Sequence, residues 1–369
     1  MKTFTTKLKN TFILCFVLVS SSVLAQTIIT VDNNPGSTTT HQTIQEAHDA
    51  ATDGDIIYVQ PSSSSYGNII IDKELTIIGR SHSEPSKVSQ LGTITIRSSN
   101  VTIKGLYISS LYASSSGAPN TPPYIGLNIF DSYFNSYLQL GTNSATVIQD
   151  DVTVRGCVLA GTNYIYEDAT NVLLSNNIFK SNSPLRIYNT TSTVIANNVF
   201  KFTSSLSFTN YNTSGTAILY NNMFITNYAS DATINFNNGD FNLSNNLTYN
   251  YGNGDILFAN STTGSYLESN TLANTDPLFT NVDNTVSNSF AGTSSYNPNS
   301  RLEDDLTLQA TSPALTGGGG GSEMGLYNNG FLYNILGNAR GIPTLDIISY
   351  DGAVPKNGTI NVTINAKAH

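Results

Sequence analysis

Apolar and polar residues alternate in short bursts along most of the chain. Val172-Leu-Leu174 and Leu185-Arg-Ile-Tyr188 put their aliphatic residues on one side, the period-two pattern of strands with one buried face. The bursts recur as one phrase: Asn171-Val-Leu-Leu-Ser-Asn-Asn-Ile-Phe179, Thr193-Val-Ile-Ala-Asn-Asn-Val-Phe200, Ala217-Ile-Leu-Tyr-Asn-Asn-Met-Phe224 and Phe241-Asn-Leu-Ser-Asn-Asn-Leu-Thr248. Each reads as strand, Asn-Asn, strand. Weaker copies stand at Val101 to Ile108, Val152 to Leu159 and Tyr266 to Leu272. With the second residue of the pair as marker, the row is Gly79, Gly105, Ser132, Gly156, Asn177, Asn198, Asn222, Asn246 and Asn270, at intervals of 21 to 27 residues.

A period of that length without a helical run holds about three short strands and three turns. That is one coil of a parallel β-helix, and the pattern predicts an all-β solenoid of nine or more coils. At about 4.8 Å per coil, the eight intervals make a rod of roughly 38 Å. The Asn markers have a physical role, because amides stacked one coil apart can hydrogen-bond along the axis where turns are sealed from water. Asn177, Asn198, Asn222, Asn246 and Asn270 are the predicted ladder. A row repeated at every coil is architecture before it is a ligand site.

The ends read differently. Thr43 followed by Glu46 is a capping box, which predicts a short helix from Thr43 to Ala51 with Ile44 and Ala47 against the first coil. Residues 26–74 are thus an N-terminal cap and first coil, and 75–280 the coils. Residues 281–342 read as irregular final coils and a C-terminal cap, in which Gly317 to Gly321 is too permissive to form a rigid element. Thr344 to Ile348 and Thr359 to Ala366 read as two strands around a turn at Lys356-Asn-Gly358, a short β segment over 343–369.

Composition agrees with strands and turns, since Asn, Ser, Thr, Gly and Tyr crowd a chain poor in helix formers. Residues 1–25 read as an export signal: Lys2, Lys7 and Lys9, an apolar run from Thr11 to Val19, and Val23-Leu24-Ala25 at the cleavage position. The product is then expected outside the cytoplasm, in the periplasm, at the cell surface or beyond. The run is too short to span a bilayer, so no transmembrane segment is predicted. Without the signal, 13 Lys+Arg face 25 Asp+Glu, a net charge of −12. Lacking a basic stripe, the chain is not expected to bind nucleic acid. Cys157 is left alone, so no intramolecular disulfide staples the exported protein.

Thr43 to Val59, Pro61, Tyr66 and Leu75 to Gly79, with Asp276-Pro-Leu-Phe279 and Leu306 to Ala314 near the other end, resemble secreted right-handed parallel β-helix proteins of the pectin-lyase-like superfamily. The likeness spans roughly Thr27 to Asn329 and implies a right-handed coil. What it implies about chemistry is broad, because the superfamily includes lyases, hydrolases and adhesins. Its lyases use a Lys or Arg base, often with Ca²⁺, and its polygalacturonases use clustered Asp.

Such residues are scarce here. In the strand after each third turn, the predicted outward lane contains Gln139, Glu167, Arg186, Tyr188, Ser207, Thr209 and Asn235. Its one ionisable pair, Glu167 with Arg186, reads first as a salt bridge between coils. Read as a site, Arg186 contacts an acidic sugar, with Tyr188 and Tyr137 as stacking platforms. Lys180 and Lys201 fall at equivalent positions and read as solvated surface, and Tyr112 to Tyr124 forms a candidate rim. No His cluster suggests a metal site or nucleophilic catalysis, and no cofactor is evident. Asp150-Asp151 and Glu303-Asp304-Asp305 carry oxygens suited to Ca²⁺ but lack the ligand spacing of a defined loop. The expected function is binding or processing of extracellular polysaccharide. An active lyase or glycoside hydrolase on acidic glycans and a structural or adhesive surface rod are the alternatives.

Overall fold

A computed structural model describes residues 26–80, 88–113, 120–282, 305–334, 344–350 and 362–367, less 145, 181, 183–184, 189–191, 213–214 and 261–262. The export signal, the 356–358 turn, and Glu303 and Asp304 lie outside these residues. The chain winds into an all-β parallel solenoid of about nine turns.

Each coil contributes to three columns of strands. The first column is an eleven-stranded parallel sheet running from Ile28–Val31 to Ser265–Ser269. The third begins with Ile69–Ile71, and in the next three coils the second and third are fused as single long strands, Gln90–Ile96, Tyr107–Ala113 and Tyr133–Leu140. Past Tyr133–Leu140 they part. The second column continues from Val158–Leu159 to Leu247–Asn250, the third from Thr162–Ile165 to Ile256–Asn260.

Register makes equal residues meet. Phe179, Phe200 and Phe224 are successive inward residues of the second column, stacked at 4.5 and 5.0 Å between ring centroids and fully buried. Phe208 and Phe236 repeat this in the third column at 5.9 Å. One continuous core therefore runs the length of the rod, and its stability comes from neighbour-on-neighbour burial.

The turn between the first and second columns explains why Asn occurs in pairs. Gly105, Asp131, Gly156, Asn176, Asn197, Asn221, Asn245 and Asn270 all have positive φ, between 50° and 70°. Glycine and asparagine tolerate that left-handed conformation best. The residue that follows points inward. Asn177 donates from its backbone and its amide to Asn198 Oδ1 (2.9 and 3.2 Å). Asn198 does the same to Asn222 (2.9 and 3.0 Å), and Asn222 to Asn246 (2.9 and 3.2 Å). Each amide also donates to a carbonyl of the preceding coil, such as Asn222 Nδ2 to Ile195 (3.1 Å). Asn270 is not a rung: it is exposed and belongs to the left-handed row, and Thr271 follows it. Gly105 and Gly156 are likewise left-handed residues, and Gly79 stands opposite Gly105 in register, so the marker register slips by one at these four places.

At the N-terminal end, helix α1 (Ile44–Ala50) carries the complete Thr43/Glu46 capping box and buries Ile44, Ala47 and His48. Lys73 Nζ donates to the carbonyls of His48 (2.8 Å) and Ala51 (2.8 Å), closing the helix C-terminus. Asp55 accepts backbone N–H bonds from Thr52 and Thr27 (both 2.8 Å), which hold its carboxyl below the usual carboxylate range.

At the other end the chain does not simply fade. Phe279–Asn281 pairs antiparallel with Asp305–Leu308. The chain then returns along the outside of the second column through three short 3₁₀ turns, Pro313–Leu315, Gly319–Gly321 and Gly325–Gly330. Gly317 to Gly321, expected to be non-rigid, is held in place: Gly319 N–H donates to Asn221 Oδ1 (2.9 Å) and Gly321 N–H to the Gly318 carbonyl (3.0 Å). Asn176 Nδ2 donates to the Leu326 carbonyl (2.9 Å), and Arg155 lies 4.1 Å over the Phe331 ring. The outward residues Val199, Met223 and Leu247 are buried in a cluster with Met324 and Leu326 of this strap. Glycine suits the strap because a Cβ at Gly325 would stand 2.9 Å from Met223 Sδ.

Candidate functional site

The third column presents three outward rows. Register puts Gln139, Tyr164, Arg186 and Thr209 in one. Two residues earlier lies a second row with Tyr137 and Thr162, continued further along by Ser207 and Asn235. The third lies just past the strand ends, where Tyr166 N–H donates to Leu140 (2.9 Å), Tyr188 N–H to Ile165 (2.7 Å) and Tyr211 N–H to Ile187 (2.7 Å). Tyr166, Tyr188 and Tyr211 are thus equivalent residues of successive coils.

Their rings stack. Tyr166 and Tyr188 are 4.8 Å apart between centroids, and Tyr188 and Tyr211 4.3 Å at an interplanar angle of 10°. Tyr164 extends the stack, 5.9 Å from Tyr166, and Tyr137 joins it tilted by 41° at 6.2 Å. Parallel β geometry alone brings equivalent residues to about this separation, so the stack needs only Tyr at one position in three coils. Burial of the rings pushes the Tyr166 and Tyr188 hydroxyls up in pKa, so both remain protonated at neutral pH.

This geometry changes two expected roles. Tyr188 is sandwiched between Tyr166 and Tyr211, so it offers a ligand its edge and hydroxyl, not a ring face. Among the described residues Arg186 meets an aromatic ring and makes no ion pair with Glu167. It stands opposite Tyr164 in register, its guanidinium 5.3 Å from that ring. Glu167 sits in the turn after the strand, which ends at Ile165, and it is exposed. Tyr137 is the platform with room, 41% exposed and tilted away from its neighbour.

Tyr166 and Tyr211 are functional candidates absent from the expected lane. Their signal was present: Tyr166, Tyr188 and Tyr211 recur at 22 and 23 residues, the coil period. Gly239 donates its N–H to the Asn210 carbonyl (2.9 Å), so it occupies the next place in that row. With no side chain there, the outer face of Tyr211, also 41% exposed, is left uncovered by the next residue in its row.

The acids around the stack are committed elsewhere. Asp168 is buried and accepts N–H bonds from Thr142 (2.8 Å), Asn143 (3.1 Å) and Ser144 (3.1 Å) plus the Thr142 hydroxyl (2.8 Å), so it organises that loop. Asp150 accepts from Thr170 Oγ1 and Asn171 Nδ2 (both 2.7 Å), which hold its carboxyl low. Lys180 and Lys201 do meet in register, but Lys201 is buried, not solvated. Of the Tyr112 to Tyr124 rim, Tyr124 is buried beside Ala113 and Ile148, and residues 114–119 lie outside the described residues. Among the described residues no group of three or more His, Cys, Asp or Glu gathers as metal ligands, and no helix is long and apolar enough to cross a membrane. No protein-family model matches the chain, and no curated protein matches it.

Proposed function

We propose that the protein is an exported right-handed β-helix of the pectin-lyase-like kind that binds an extracellular polysaccharide along its third column. One observation carries this reading: Tyr166, Tyr188 and Tyr211 stack along the rod axis at one-coil steps, flanked in the neighbouring rows by Tyr137, Tyr164 and Arg186. A polymer of repeating units laid along that axis meets like groups again and again. Tyr211 and Tyr137 offer ring faces to the C–H side of a sugar, the stacked hydroxyls offer donors and acceptors, and Arg186 supplies fork-shaped donors for a carboxylate or sulfate. An acidic glycan suits Arg186 best, because cation–π contact with Tyr164 leaves the guanidinium edge to the ligand.

The reading is of binding, without a chemical step. Asp168 is used up in holding a loop, and among the described residues Arg186 has no carboxylate or second base within contact to complete a general acid–base pair. Acidic and neutral glycans offered to the protein at several Ca²⁺ levels test this. Arg186→Ala should abolish retention on the acidic glycan while leaving stability within about 1 kcal/mol, and Tyr211→Ala should weaken retention of both kinds. Unsaturated products or new reducing ends would instead identify a lyase or a hydrolase. No retention of any glycan by the wild type would leave a structural rod.

A further inference from the structure

The lane that carries the tyrosine stack is unevenly charged along its length. In the row of Arg186, register places Gln139 and Tyr164 on the N-terminal side and Thr209 and Asn237 on the C-terminal side. In the neighbouring row Ser207 and Asn235 occupy the same two C-terminal coils. These four C-terminal residues are half-buried and offer hydroxyls and amides. Arg186 is thus an isolated cation. Within the third column and the row just past its strands, the other Lys or Arg among the described residues is Arg97, whose N–H donates to Ile71 (2.8 Å) four coils away, roughly 19 Å along the axis.

The C-terminal coils are acidic at their margins. From Phe202 to Ser300 the chain has no Lys or Arg. Asp231 and Asp255 stand exposed, each one residue before a third-column strand, Ala232–Asn238 and Ile256–Asn260. Asp240, also exposed, follows Gly239, the residue that leaves the Tyr211 ring uncovered. The partners that these acids hold are neutral: Asp231 Oδ1 accepts the Asp255 N–H (2.9 Å), and Asp240 Oδ1 accepts the Ser265 hydroxyl.

Two opposed effects follow for a polymer laid along the axis. A pyranose unit is about as long as the step between coils, so successive units meet successive coils. A unit with a carboxylate gains a charge-assisted, fork-shaped pair at Arg186. The same carboxylate one or two coils further on meets only Ser, Thr and Asn, with Asp231, Asp240 and Asp255 beside it, and like charges repel it. A polymer charged at every unit gains once and is repelled at each later step.

Resting on the glycan-binding reading above, we propose that the ligand is a mixed polysaccharide in which each acidic unit is separated from the next by at least two neutral ones. The acid sits at Arg186, and the neutral units lie on the coils of Thr209 with Ser207 and of Asn237 with Asn235. A polyuronide charged at every unit is selected against.

The experiment measures retention on one polymer, polygalacturonate, methyl-esterified to graded extents, without Ca²⁺ and at low salt. Wild type should bind best where free acids lie about three or more coil steps apart. At full charge it should bind about two- to fivefold more weakly, the range that exposed charge pairs give, and high salt should close that gap by screening the acids. Fully esterified polymer should also bind more weakly, because Arg186 loses its partner. Replacing Asp231→Asn, Asp240→Asn and Asp255→Asn together keeps every acceptor oxygen and should raise binding of the fully charged polymer to the level of the sparsely charged one. Thr209→Arg sets a second cation one coil from the first and should move the optimum to higher charge. Retention that rises steadily with charge in the wild type, or a triple variant with unchanged preference, overturns the proposal and leaves the glycan reading standing. Failure to retain any member of the series or a neutral glycan overturns both.

Discussion

Asn198 and Tyr188 each touch their equivalents in the coils before and after, but Asn198 does so out of water and Tyr188 at the edge of it. Inside, every amide must be satisfied, because a buried donor or acceptor without a partner costs far more than the net gain of a single bond. Asn198 and Asn222 therefore use their oxygens for the previous coil and share their nitrogens between a carbonyl and the next rung. Outside, the tyrosines carry no such obligation. Their hydroxyls can turn to water, and their stack adds ring contact without leaving anything stranded if it is broken. A repeat thus holds two kinds of ladder, one that the fold cannot lose and one that it can spare for a ligand.

The comparison is broken most severely at Asn222→Leu. Asn198 N–H loses its acceptor and the Ile195 carbonyl its amide donor, at about 1–3 kcal/mol each, so a loss of about 2–6 kcal/mol is expected in chemical denaturation. An unchanged midpoint would mean the amides are incidental to the turns. Tyr188→Ala should cost less, about 1–3 kcal/mol for two stacked faces, with measurable coupling to Tyr211 in a double-mutant cycle. Additive effects of the Tyr188 and Tyr211 substitutions would show that the stack is mere proximity. Asn270→Gly should be the mildest, within about 0.5 kcal/mol, since Asn270 is exposed and glycine accepts its φ of 56°. A large loss there would return Asn270 to the ladder.

Much of the solenoid is legible in the sequence, because a coil is a local unit whose turn chemistry repeats from one copy to the next. The Asn-Asn pairs of Asn177, Asn198 and Asn222 announce both halves of the turn, one residue for the left-handed bend and one for the inward amide. Where the pair degenerates to Gly105-Leu106 or Asn270-Thr271, a single polar or small residue is ambiguous between the two positions, and the register slips. The capping box at Thr43 and Glu46 is equally readable, being complete within four residues.

The functional lane and the strap are not readable in the same way. Whether Arg186 faces Glu167 or Tyr164 depends on where a strand ends, and a two-residue difference there moves a side chain to another row. The covering of Val199, Met223 and Leu247 by Met324 and Leu326 joins residues about a hundred positions apart, and no local pattern reports it. Gly319 and Gly325 look like loose chain in sequence and are close-fitting in space, because the lack of a Cβ permits both. Local chemistry and period determined the coil, its turns and its length; contacts between distant segments, which depend on how coils stack and where the tail returns, were decided only by the folded structure.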